Sequence, residues 1–203
     1  MLDSHAAALG GTRSRPATRS GGVAGNARLT GAVAVALLVL LAAEGITIPF
    51  IGQLLGAHLF IGLMLIPPVA LKLGSVGWRF VRYYTHDEPY VRKGPPPTIL
   101  RLLAPGVVLT TIALFGTGVA LLLAGPPSNT LIFAHKVSFI AWVALMALHV
   151  LGHLLELPAL ASADWRRGPR IGGAGARAGA MVAALGLGVA LGFVALAAGG
   201  AWL

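Results

Sequence analysis

The chain has 203 residues, of which 57% are hydrophobic and 10% charged, too apolar for the charged surface of a water-soluble domain. A formal net charge of +9 would suit nucleic acid if the basic residues formed one patch, but they fall in separate blocks between long apolar runs. Cysteine is absent, which excludes disulfides, thiolate metal sites and covalent haem attachment through Cys-x-x-Cys-His.

Residues 1–28 are rich in Ser, Arg, Gly and Ala. They look like an organellar transit peptide in composition, yet no apolar h-region with a cleavage site follows, so the expectation is a disordered basic cytoplasmic tail, and His5 within it carries no role. The first apolar run, Leu29 to Ile48, contains one acidic residue, Glu44; a short uncharged link, Pro49 to Gly52, leads into the second, Gln53 to Leu73, with His58 and Lys72. A longer loop then holds Arg79, Arg82, Arg92, Lys93 and Arg101 and ends in the stiff spacer Pro95-Pro96-Pro97. His86-Asp87-Glu88 in this loop could ligate a metal, but a polar run before Pro89 is ordinarily a turn. The third run is Leu102 to Ala124, and after a second uncharged link, Gly125 to Thr130, the fourth is Leu131 to Leu157 with His135, Lys136, His149, His153 and Glu156. Arg166, Arg167, Arg170 and Arg177 precede the last run, Ala178 to Ala198, in which Gly188 and Gly192 form a small-x-x-x-small pair. That fifth run suits a helix packed on the others or on a partner, and equally well plain Ala/Gly filler.

Runs of this length read as membrane-spanning helices, since a span must satisfy its own backbone hydrogen bonds. Basic residues alternate sides with each crossing, which puts the N-terminus inside and the C-terminus outside. Trp78, Tyr83, Tyr84 and Trp165 fall near inner span ends, as interfacial aromatics do. The predicted fold is therefore an all-α integral membrane protein of a bacterial plasma membrane. Its parts are a four-helix transmembrane bundle over 29–160, a basic cytoplasmic loop over 161–177 and a fifth transmembrane helix over 178–203. Its surroundings are membrane lipid, with no nucleic-acid partner. No segment outside the spans is long enough for a dinucleotide-binding fold.

Intramembrane histidines are costly unless something satisfies their nitrogens. His58 and His135 enter their runs at similar depth on two co-oriented helices, and His149 lies fourteen residues beyond His135. At about 100° per residue, fourteen residues return to within about 40° of the same face, about 21 Å deeper. This spacing in helices two and four resembles that of the cytochrome b superfamily of membrane di-haem cytochromes, including the cytochrome subunits of nickel-iron hydrogenases. The resemblance covers residues 29–157 and implies that His58 and His135 clamp an outer-side haem b from both faces. It also gives His149 to an inner-side haem, whose other ligand would stand at position 72, where this chain has Lys72. Three arrangements are open there: a neutral lysine ligand, another partner for His149, or no inner haem. One haem b or two would follow. Glycines of helices one and three admit porphyrin in that family; Gly31 and Gly45, also fourteen apart, and Gly106, Gly116 and Gly118 stand in the matching helices. The stretches from Lys72 to Tyr84 and from Gly152 to Glu156 are also similar to those of small actinobacterial membrane proteins.

The resemblance implies electron transfer between a membrane quinone or quinol and a partner redox protein, as a subunit of an oxidoreductase. Lys136 could hold a haem propionate or simply extend to the interface. Glu44 could move protons for a quinone at the outer haem, or pair with Lys136. The rival is a haem-free membrane scaffold or metal-handling protein, in which His149, His153 and Glu156, spaced i, i+4, i+7, form half a metal site on one helical face.

Overall fold

The computed structural model describes residues 21–154 and 172–203, apart from Pro96 and Pro127. Residues 1–20, including His5, lie outside it, as do Glu156, Trp165 and the arginines of 166–170. The described elements are helices: α1 (Gly22–Thr47), α2 (Ile51–Met64), α3 (Ile66–Tyr84), α4 (Glu88–Lys93), α5 (Thr98–Ala124), α6 (Asn129–Leu154) and α7 (Ala174–Ala198), with a closing 3-10 turn, Gly199–Ala201. Five helical segments are long and apolar enough to cross a membrane, α2 and α3 together making one of them. Large apolar side chains face outward along all of them, Leu123, Leu102 and Phe133 being at least 70% exposed. A lipid-facing exterior accounts for this; a water-facing one does not.

Two boundaries differ from the sequence expectation. Residues 22–28 are the first two turns of α1, where Asn26 donates to the Ser75 carbonyl on α3 at 3.0 Å, so the ordered chain begins before the apolar run does. The second span does not stop at Leu73 but continues to Tyr84. At about 1.5 Å per residue its 34 residues exceed the ~30 Å hydrocarbon thickness. The extra turns become amphipathic, with Arg82 over the Trp78 ring at 5.4 Å. Hydropathy alone misses them because the charges lie on one side only. The run His86-Asp87-Glu88 is a turn into α4, with Asp87 paired to Arg82.

Between α2 and α3 the second span loses hydrogen bonds at Pro67 and Pro68, while Leu65 keeps helical backbone angles. Pro68 has no N–H to give the carbonyl four residues back, that of Met64. Gly188 of α7 lies against that same oxygen, so closely that a Cβ there would overlap it; a Cβ on Gly192 would stand 2.9 Å from the Phe60 carbonyl and 2.7 Å from its ring. The Gly188/Gly192 pair therefore lets α7 and α2 meet backbone to backbone, the close approach that favours Cα–H···O contacts. The fifth span is an integral member of the assembly, packed on α2 and α3, rather than an appendage to a closed four-helix bundle. Val33, Leu37 and Leu65 form the buried centre of this group, with Phe115 of α5 and Met181 of α7 against it.

Helices α5 and α6 form the second unit, an antiparallel hairpin in one register. Trp142 donates to the Thr111 hydroxyl at 3.0 Å, a Cβ on Gly106 would meet Leu145 at 3.1 Å, and one on Gly152 would meet Leu100 at 2.8 Å. Small residues on one helix thus receive large ones from the other along the whole seam.

Candidate functional site

Each hairpin ends in a short uncharged turn, over residues 48–50 and 125–128, and each sets a histidine of its second helix against a threonine of its first. In the α1/α2 hairpin, Thr47 Oγ1 is 2.9 Å from His58 Nδ1, and Glu44 Oε1 lies 2.9 Å from the same nitrogen. In the α5/α6 hairpin, Thr117 Oγ1 is 3.0 Å from His135 Nδ1. The hairpins bring these two rings together, with centroids 6.4 Å apart and planes 83° to one another. His58 and His135 are thus at one level, near the ends of α2 and α6 that begin at the uncharged turns.

The hydrogen bonds favour one tautomer of each ring. A hydroxyl has one proton, and Thr47 gives its own to the Glu44 backbone carbonyl at 2.6 Å, while Thr117 gives its own to that of Ala113 at 2.7 Å. Each oxygen is then an acceptor toward its histidine, so both Nδ1 atoms donate, and a carboxylate beside His58 requires the same. Nε2 of each neutral ring retains its lone pair. This is the state in which imidazole binds a transition metal, with its other nitrogen held by a carboxylate or oxygen acceptor.

Space is also arranged around the pair. A Cβ on Gly118 would stand 3.3 Å from His135 Cε1, and one on Gly62 would stand 3.4 Å from Glu44 Oε1. These glycines seat the imidazole and the carboxylate. Gly31, Gly45 and Gly116 face open space, whereas Gly106 receives Leu145. The second Glu44 oxygen, Oε2, is buried with no hydrogen-bond partner.

A metal bonds histidine nitrogen at about 2.0–2.1 Å, and that nitrogen lies about 1.1 Å from its ring centre, so two trans imidazoles on one ion have centroids about 6.3 Å apart. The observed separation is of that size, with the ring planes 83° apart, so the imidazole pair has the donor chemistry and spacing that a haem iron would take.

The other candidates are placed differently. Lys72, fourteen residues after His58, donates from Nζ to the Thr30 carbonyl on α1 at 2.8 Å, next to the bond from Thr30 to Ser75 at 2.9 Å. His149 is partly buried on α6, four turns from His135. Glu44 pairs with His58, not with Lys136, which is exposed. Among the described residues no group of three or more His, Cys, Asp or Glu is placed to hold a metal ion. The His153 side chain and Glu156 lie outside those residues.

Thr47, Thr117 and Gly62 were not singled out by sequence, whereas Gly118 stands among the helix-three glycines named there. A signal for one of them existed: Thr117 and His135 stand equally far from Pro126 in the turn, and residues equidistant from a tight turn face each other in an antiparallel hairpin. No protein-family model, curated protein or solved structure matches this chain.

Proposed function

We propose that this chain is a membrane b-type cytochrome in which His58 and His135 ligate one haem, and that it passes electrons between a quinone or quinol and a partner redox protein. The observation that carries the reading is the imidazole pair at 6.4 Å, with both Nδ1 atoms committed to oxygen acceptors. Held by both histidines, a haem would supply one-electron transfer rather than activation of oxygen or substrate. The chain's residues do the rest. Glu44 and Thr47 orient the His58 ring from α1, and Thr117 and Gly118 orient His135 from α5. The Glu44 carboxylate also sets the ring orientation of His58 from the second side. A pair drawn from two separate hairpins also makes ligation a tie between units that otherwise pack mainly on themselves.

The basic blocks at the ends opposite the histidines orient the chain by the positive-inside pattern, with the N-terminus in the cytoplasm, the C-terminus outside and the haem level near the outer face of a bacterial plasma membrane. We assign one haem per chain, since the Lys72 ammonium donates to the Thr30 carbonyl of α1. The test is the reduced-minus-oxidised absorption spectrum of the purified protein in detergent. A sharp low-spin band, lost in His58→Ala and in His135→Ala, is expected; full haem retention in either variant would remove that histidine from the site.

A further inference from the structure

At the basic end of the molecule, α1 and α7 border a cavity of about 290 Å³ lined by Arg28, Leu29, Ala32, Arg177, Ala178 and Met181. We propose that this cavity is a binding site for one anionic phospholipid of the adjoining leaflet, its phosphate held between Arg28 and Arg177 and its acyl chain laid on the apolar lining.

Four observations converge on that ligand. Among the described residues the lining is almost wholly apolar, with Arg28 and Arg177 bordering it and no acidic residue. That is the pattern of a ligand with a charged head and a hydrocarbon body, and basic pockets between transmembrane helices suit phospholipid headgroups. Arg28 makes no hydrogen bond or ion pair among the described residues, so its five donors are unspent. Arg177 donates from one nitrogen to the Gly172 carbonyl at 2.7 Å, which holds the guanidinium at the start of α7 instead of letting it swing into water. Finally, α1 and α7 both begin at this end with no acidic residue in the first turn and no side-chain cap, so two positive helix ends add to the field. The polar ends of the spans lie at headgroup depth, and the apolar lining continues from there along the helices. A soluble phosphate would use the arginines and leave the apolar lining wet; a lipid uses both.

The experiment is native mass spectrometry of the full-length protein released from nanodiscs of mixed phosphatidylglycerol and phosphatidylcholine. One phosphatidylglycerol retained per chain, with phosphatidylcholine lost, is expected. Arg28→Gln and Arg177→Gln should each weaken retention about fivefold, and the double variant about thirtyfold. Ala32→Phe fills the cavity while keeping both charges, and should abolish retention. Arg92→Gln, on exposed α4, should leave it unchanged. Equal loss in Arg92→Gln, equal retention of phosphatidylcholine, or undiminished retention in Ala32→Phe would overturn the proposal. None of these readouts involves haem, so they stand apart from the cytochrome reading.

Discussion

The contact between α2 and α7 makes one substitution change sign over two residues. At Gly188 a methyl group would overlap the Met64 carbonyl oxygen and come within 3.2 Å of Met64 Cγ, whereas at Gly186 it meets nothing within 4 Å. The Met64 oxygen belongs to helix backbone and cannot turn aside, so the two helices must part by about an ångström, at an overpacking cost of about 1–3 kcal/mol. Against this, Gly to Ala favours the helix by about 0.8–1.0 kcal/mol. Gly186→Ala therefore gains only the propensity and is stabilised by roughly that amount, while Gly188→Ala loses up to about 2 kcal/mol net. Helical circular dichroism of both variants, melted side by side in one detergent, measures this. By the usual scaling for a chain of this size, the midpoint should rise by about 2–4 °C in Gly186→Ala and fall by up to about 8 °C in Gly188→Ala. Shifts of the same sign and size at both positions would refute the backbone-to-backbone seam.

Thr117→Val keeps the shape of the side chain but removes the acceptor for His135 Nδ1, and should weaken haem retention about 10–100-fold, measured by haem transfer to an acceptor apo-globin. Unchanged transfer would dismiss Thr117 as a positioning residue. Glu44→Gln removes the negative charge beside His58, which favours the oxidised haem, and should raise the midpoint potential by about 59 mV for each tenfold change in relative affinity for the two oxidation states. A potentiometric titration giving a lower or equal value would contradict that role. Lys72→Ala should leave the haem spectrum as it is and lower the melting temperature, because its Nζ ties α3 to the Thr30 carbonyl. Loss of a haem signal in that variant would restore Lys72 as a ligand.

The spans were legible in the sequence because hydrocarbon imposes a one-dimensional rule, a run of apolar residues, that needs no knowledge of neighbours. So was the matched level of His58 and His135, since short turns and helical rise fix depth. What lay beyond reach depended on rotation and on contacts across helices. The fourteen-residue spacing from His58 to Lys72 did not reveal that Lys72 reaches the Thr30 carbonyl of α1. Gly188 and Gly192 suited a packing face, but nothing in the chain said which helix they meet. Charge alone suggested Lys136 as the one pairing partner for Glu44, beside a proton role, whereas His58 lies 2.9 Å away across a tight turn. Asn26 shows the reverse case, an ordered polar residue ahead of the apolar run, held by a carbonyl 49 positions away.

The most direct test of the central claim is the haem content and spectrum of the protein purified from its membrane, with His58→Ala and His135→Ala prepared in parallel. The account predicts one haem per chain with a sharp low-spin reduced band, absent from both variants. A wild-type protein that takes up no haem, or variants that keep the band, would contradict it.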